Sequence, residues 1–326
     1  MKRVIISTVA VALLFGVTTL QAKTERKTLV KNEMAVEAKN HKAAPKEIIL
    51  GMQNTFKAMQ DLYAKKNEDA KKDLKAALEN FNKALKANPK LDLIPVDERI
   101  QAFEYLGSLE DIKKALDLGQ KLLKEHNTQV AIATIAPLKD ELDITVAAIP
   151  MKIYPAAVKK ALDALNKGDT AAAYNAVVEA MNSLVLFKTV IPTPLLVAQD
   201  FVLEASKLDK AKKEEATKLL EAAKYALERA ELLGYTKLFP DAYANLTKSI
   251  NAIEKEIKGK NEVAKLYEKL KEDFASLLSK TRASKVKLEN HIKAQKKVES
   301  YEKKEEQEAI KKSKEFQEDA KEAVKK

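Results

Sequence analysis

The chain has no cysteine, no tryptophan, three histidines and seven glycines among its 326 residues. Without cysteine no disulfide can staple the fold, so stability has to come from packing. Zinc, haem and iron–sulfur sites lose their usual ligands for the same reason. His41, His126 and His291 are far apart and none stands in an HExxH or similar metal spacing. His126, beside Asn127 and Thr128, reads as a turn or cap residue. No Gly-rich phosphate loop or Gly-x-Ser-x-Gly elbow occurs. Carboxylate pairs such as Asp97-Glu98 and Glu110-Asp111 are ordinary in a chain that is 33% charged, where they serve as solvated faces or caps. Catalytic, cofactor-binding and metal-binding residues are therefore not expected, nor is enzymatic activity.

Long apolar runs are also missing, apart from one at the N-terminus. Lys2 and Arg3 precede the apolar stretch Val4 to Val17, and Leu20-Gln21-Ala22 leads into charged sequence. That order is the pattern of a secretory signal peptide. The run is shorter than the ~20 residues of a bilayer-spanning helix. Cleavage after Ala22, a periplasmic location and no lasting membrane span are the expectations. The net charge of +11 suggests nucleic acid, but its distribution argues otherwise. Residues 23–89 carry +6, 90–209 carry −4, 210–260 carry +3 and 261–326 carry +4. A nucleic-acid surface needs a concentrated basic stripe with base-reading or stacking groups, so no nucleic-acid partner is expected.

What is abundant is Ala, Leu, Lys and Glu, the composition of helices. The expected fold class is all-α: divergent helical hairpins with short extended Ile-Pro segments, plus a long charged C-terminal helix. Residues 23–45 read as a polar linker or frayed helix. A helical stripe follows at Ile48, Met52, Phe56, Met59 and Tyr63, and another at Leu74, Leu78, Phe81 and Leu85, with 3–4 residue spacing. Ser108 to Asp111 looks like a capping box. Pro155 suits a first helical turn and Gly168 a C′ position, and Asp169 caps the next helix. Pro240-Asp241 opens a helix lined by Tyr243, Leu246, Ile250, Ile253 and Ile257. Three β-prone stretches punctuate these helices: Leu91 to Asp97, Leu142 to Pro150 and Val185 to Pro192. Each contains Ile-Pro and follows a helix, which suggests three hairpin-plus-extended-segment units, too unevenly spaced for a strict solenoid.

Leu266, Leu270, Phe274 and Leu277 continue a stripe, and a coiled coil is open only for roughly 263–292. Residues 293–326 hold 20 charged residues of 34, the composition of a solvated helix. Asp97 and Arg99 follow Pro95 in a segment expected to turn back toward the core, where a charge needs a partner. A structural ion pair is the default. A ligand-facing polar cluster with Tyr105 and Tyr154 is the sharper alternative.

Several strings in order resemble the YfdX family of bacterial proteins. They are Leu93-Ile94-Pro95-Val96-Asp97-Glu98-Arg99, Leu109-Glu110-Asp111-Ile112, Tyr154-Pro155-Ala156-Ala157, Leu165 to Thr170, Thr189 to Leu196, and Ala222 to Leu227 with Leu233-Gly234-Tyr235. The resemblance runs from about residue 70 to 235. It implies an exported, mostly helical domain that self-associates and is linked to stress responses, and it brings no catalytic residues. The expected organisation is a signal peptide at 1–22, the linker at 23–45, a YfdX-like helical domain at 46–260 and a charged helical tail at 261–326. The leading expectation is a non-enzymatic periplasmic stress protein that binds a small amphipathic molecule, an unfolded chain or an envelope component. The alternative is an oligomeric structural or interaction protein whose tail is a spacer or docking segment.

Overall fold

The computed structural model describes residues 20–40, 44–209, 211–258 and 263–288. Helices dominate, as the composition demands: α1 (Leu20–Asn40), α2 (Lys46–Tyr63), α3 (Asn67–Ala87), α4 (Leu109–Lys124), α5 (Thr128–Ile135), α6 (Tyr154–Asn166), α7 (Thr170–Asn182), α8 (Thr193–Ala205), α9 (Lys213–Leu232), α10 (Pro240–Lys258) and α11 (Ala264–Ala283). The all-α expectation nevertheless needs correction. The three Ile-Pro stretches are strands β1 (Leu93–Phe103), β2 (Glu141–Pro150) and β3 (Val185–Pro192), and with β4 (Val286–Leu288) they form a four-stranded antiparallel sheet in the order β1-β2-β3-β4. Runs such as Ile144-Thr145-Val146 and Thr189-Val190-Ile191 are β-branched and stiff at χ1, which suits a pleated surface. Pro150 and Pro192 close their strands. Pro95 lies within β1, which is tolerated because β1 is the first strand in the order and thus an edge. Each of the helix pairs α2–α3, α4–α5 and α6–α7 is followed by one strand, so the expected succession of hairpins and extended segments is present in the chain order.

The chain divides into two compact units whose boundaries fall inside β1, β2 and β3. The unit formed by Ala43–Asp97, Val146–Phe187 and Lys287–Lys326 is built on the hairpins α2–α3 and α6–α7, with α3 packed on α6 and α2 on α7. Its core includes Ile48, Leu74, Phe81, Ile149, Tyr154, Val158 and Val177. Phe81 meets the Tyr154 ring edge-on, with centroids 5.5 Å apart. Asn67 Nδ2 donates to Thr170 Oγ1 at 2.8 Å, tying the starts of α3 and α7 together. Gly168 ends the α6 turn with φ of +79°, and Asp169 caps α7 by accepting from the Ala172 amide. Both roles were expected.

The unit formed by Met1–Lys42, Glu98–Thr145 and Lys188–Val286 holds α1, α4, α5 and α8 to α11. The Ser108–Asp111 capping box is formed in full, and His126 occupies a turn with φ of +58°. Tyr243, Leu246, Ile250, Ile253 and Ile257 are all buried along α10. Two expected boundaries shift. Residues 20–40, read from 23 onward as a polar linker or frayed helix, form the helix α1, because the stretch has neither glycine nor proline and is rich in Ala, Lys and Glu. Arg282 then holds that helix, its Nε 2.5 Å from Glu37 Oε1 and its Nη2 bonded to Glu33. Residues 264–283, assigned to the charged tail, are a core helix with Tyr267, Leu270, Phe274, Leu277 and Leu278 buried. The strongly charged stretch 293–326 lies outside the described residues.

Candidate functional site

The densest polar arrangement among the described residues surrounds the start of β2. Asp140, Glu141 and Asp143 are all buried there, and each owes its position to backbone pairing. β2 begins at Glu141, and the Asp140 carbonyl accepts from the Thr193 amide at 2.9 Å where α8 begins. Arg229, on the buried face of α9, answers Asp140: its Nε donates to Asp140 Oδ2 at 2.7 Å. The same guanidinium donates through Nη1 to the Gly107 carbonyl at 2.8 Å and through Nη2 to the Tyr105 carbonyl. It also lies over the Tyr105 ring, 5.6 Å from its centroid. One planar fork thus satisfies a buried carboxylate and two loop carbonyls together, which a lysine could not do.

Glu141 and Asp143 alternate along β2 and so share a face. Lys188 on β3 bridges them, 2.7 Å from Asp143 Oδ2 and 3.9 Å from Glu141 Oε1, and Lys139 reaches Glu141 at 3.6 Å. The Tyr235 hydroxyl accepts from the Asp140 amide at 3.0 Å and hydrogen-bonds the Glu141 carboxyl. Burial pushes the Glu141 carboxyl above its ordinary range, against the hydrogen bond from Tyr235 and the charges of Lys188 and Lys139. Burial also raises the Tyr235 hydroxyl well above the usual tyrosine range. Three acids face three bases here, so the arrangement fixes chain segments rather than presenting net charge. Among the described residues no set of three or more acidic or histidine groups is placed to hold a metal ion.

The four residues singled out from the sequence are dispersed. Asp97 and Arg99 are both exposed on β1, and neither has an ion-pair partner among the described residues. In β1 the odd-numbered positions face solvent and the even-numbered ones are half-buried from Leu93 to Ile100, so the expectation of a charge returning to the core fails by one residue of strand phase. Tyr105 is half-buried and contributes its ring and carbonyl to Arg229. Tyr154 opens α6 in the other unit, packed on Phe81, with its hydroxyl pushed up to about 12 by burial. The residues that sequence reasoning missed are Asp140, Glu141, Asp143, Lys188, Arg229 and Tyr235. The available signal was Asp143 itself, an acid inside a β-prone run whose neighbours are buried.

A second feature is apolar. The buried face of α2 is Ile48, Gly51, Thr55, Ala58 and Leu62. The stripe expected to face inward is rotated: Met52 and Met59 are only partly covered, Phe56 is 47% exposed and Tyr63 is 83% exposed. Gly51 is what permits this. Its missing side chain leaves room for the Phe81 ring, whose atoms would lie 2.6 Å from a Cβ there.

These observations define a mostly helical protein with a small antiparallel sheet, its helix pairs alternating with strands and its charged groups used to hold segments together. Residues 52–190, from within α2 to near the end of β3, match the model of the YfdX family, described as YfdX protein. A solved structure of Salmonella Typhi YfdX is similar at 16% identity with a TM-score of 0.31, over 45% of this chain and 91% of that one. No curated protein matches. The family match begins earlier and ends earlier than the resemblance read from the strings, leaving α8 to α11 outside it.

Proposed function

We propose that this is a non-enzymatic, exported stress-associated protein that acts by binding exposed apolar segments of unfolded chains. The observation that carries the reading is the half-exposed stripe Met52, Phe56, Met59 and Tyr63 on α2. Large apolar side chains left in solvent at i, i+3, i+4 spacing offer a ready contact for another chain. Methionine adds a flexible, polarizable surface that adapts to varied partners. Export rests on the Met1 to Ala22 pattern, and association with stress rests on the family. Among the described residues no helix is long and apolar enough to cross a membrane.

The test uses the chain from residue 23 onward and a chemically denatured protein diluted from urea, followed by light scattering. Suppression of aggregation is expected, and the double variant Phe56→Ser/Tyr63→Ser should need several-fold more protein for the same effect. Equal suppression by the variant would remove α2 as the binding face. No suppression by the unaltered chain would remove the reading.

A further inference from the structure

The α2–α3 hairpin holds two carboxylates against each other. Asp61 lies in the last turn of α2, and Asp73 is buried on α3. Lys57 Nζ stands 3.1 Å from Asp73 Oδ1 and 3.0 Å from Oδ2, and it hydrogen-bonds Oδ1. The Oδ2 atoms of Asp61 and Asp73 are both closed off from solvent; that of Asp61 has no hydrogen-bond partner, and that of Asp73 has only the ion pair with Lys57. Two ionised carboxylates are acceptors only, so neither can satisfy the other. A single proton turns one orphaned acceptor into a donor, closes an Asp61–Asp73 hydrogen bond and leaves the set of Lys57, Asp61 and Asp73 neutral. Without it, like charges face each other through oxygens closed off from solvent, beside the buried Asp73.

We propose that Asp61 and Asp73 share a proton, which makes the α2–α3 hairpin a proton-binding element that tightens as pH falls. Lys57 pairs with Asp73, so the proton is carried by Asp61. The charges acting on Asp61 are those of Asp73 and Asp69 on α3 and Lys57 on α2. Of the helices packed on the hairpin, α6 brings Tyr154, engaged by Thr55, and α7 brings Thr170, which accepts from Asn67. Burial, followed by the facing Asp73, raises the Asp61 carboxyl above its ordinary value of 3.8, outweighing Lys57. The folded chain then binds more protons than the unfolded chain between 3.8 and that raised value. Stability therefore falls as pH rises through this window.

The experiment is urea unfolding of the chain from residue 23 onward, from about pH 3.5 to about pH 8, for the wild type and Asp61→Asn. An asparagine amide can donate to Asp73 at any pH, as the shared proton does. The variant should unfold at higher urea near neutral pH, and the two curves should converge on acidification. A lower midpoint for the variant at neutral pH, or a difference that is the same at every pH, overturns the proposal. Carboxyl-carbon NMR titration of the wild type gives a readout independent of whether the variant folds. Asp61 should titrate above 3.8, and a midpoint at or below that value also overturns it.

Discussion

At the scale of single residues, the side chain with most at stake is Arg229. It pairs with Asp140, which is 0% exposed, and supplies the donors for the Gly107 and Tyr105 carbonyls. Removing one member of a buried ion pair strands the other, typically at about 3–5 kcal/mol. Arg229→Met should lower the unfolding free energy by about that amount in urea titration, whereas Arg229→Met/Asp140→Leu should recover much of the loss. Equal destabilisation by the single and double variants would show that the carbonyl contacts, not the charge pair, dominate. Neither Arg229 nor Asp140 could be singled out from the sequence, because the partners are 89 residues apart and both are common surface residues. Tyr105 was within reach, but for a different role from the one expected: it serves Arg229 through its carbonyl and ring. Asp97 and Arg99 were misplaced because alternation along a strand depends on phase, which residue types alone leave undetermined when charged and apolar positions mix.

At the scale of elements, α2 shows how a close approach can override a hydrophobic pattern. The largest apolar side chains trace one stripe, yet the helix buries the adjacent one because Gly51 lets Phe81 approach its backbone. Gly51→Ala tests this directly. Alanine favours helix by up to about 1 kcal/mol over glycine, but its Cβ would lie 2.6 Å from a Phe81 ring atom. Phe81 is fully buried and braced by Tyr154, so overpacking of about 1–3 kcal/mol should win and the melting temperature should fall. Gly51→Ala/Phe81→Leu should regain part of it. A rise in stability for the single variant would mean that the ring has free space. Helix ends, by contrast, were legible because caps are local chemistry: Ser108 with Asp111, Asp169, Gly168 and Pro155 all stand where their residue types demand. The first three strands were legible as extended segments but not as a sheet, since pairing joins stretches separated by about 35 residues and two helices, and β3 and β4 by about 90 residues and four helices.

At the scale of the whole molecule, composition averaged over long windows concealed a boundary. Residues 261–326 read as one charged tail, yet α11 packs with α10 and buries Tyr267, Leu270, Phe274, Leu277 and Leu278. The apolar stripe at Leu266, Leu270, Phe274 and Leu277 was legible, but not the point where it gives way to the charge-rich stretch that follows. This changes how the reading of the tail as a spacer or docking segment has to be tested. A deletion starting at 261 would strip five buried side chains, each contributing about 1.5–3 kcal/mol, a loss comparable with the ~5–15 kcal/mol that holds a typical domain folded. Its failure to assemble or to bind would report on unfolding alone. Deletion from 289 onward removes none of the described core. The chain ending at Leu288 should keep the thermal midpoint of the full-length protein by circular dichroism, whereas the chain ending at Lys260 should lose cooperative unfolding. Once the shorter deletion is shown to fold, comparing its oligomeric state by light scattering with that of the full chain separates the two functional readings. An unchanged assembly places self-association in the helical units, and dissociation places it in residues 289–326.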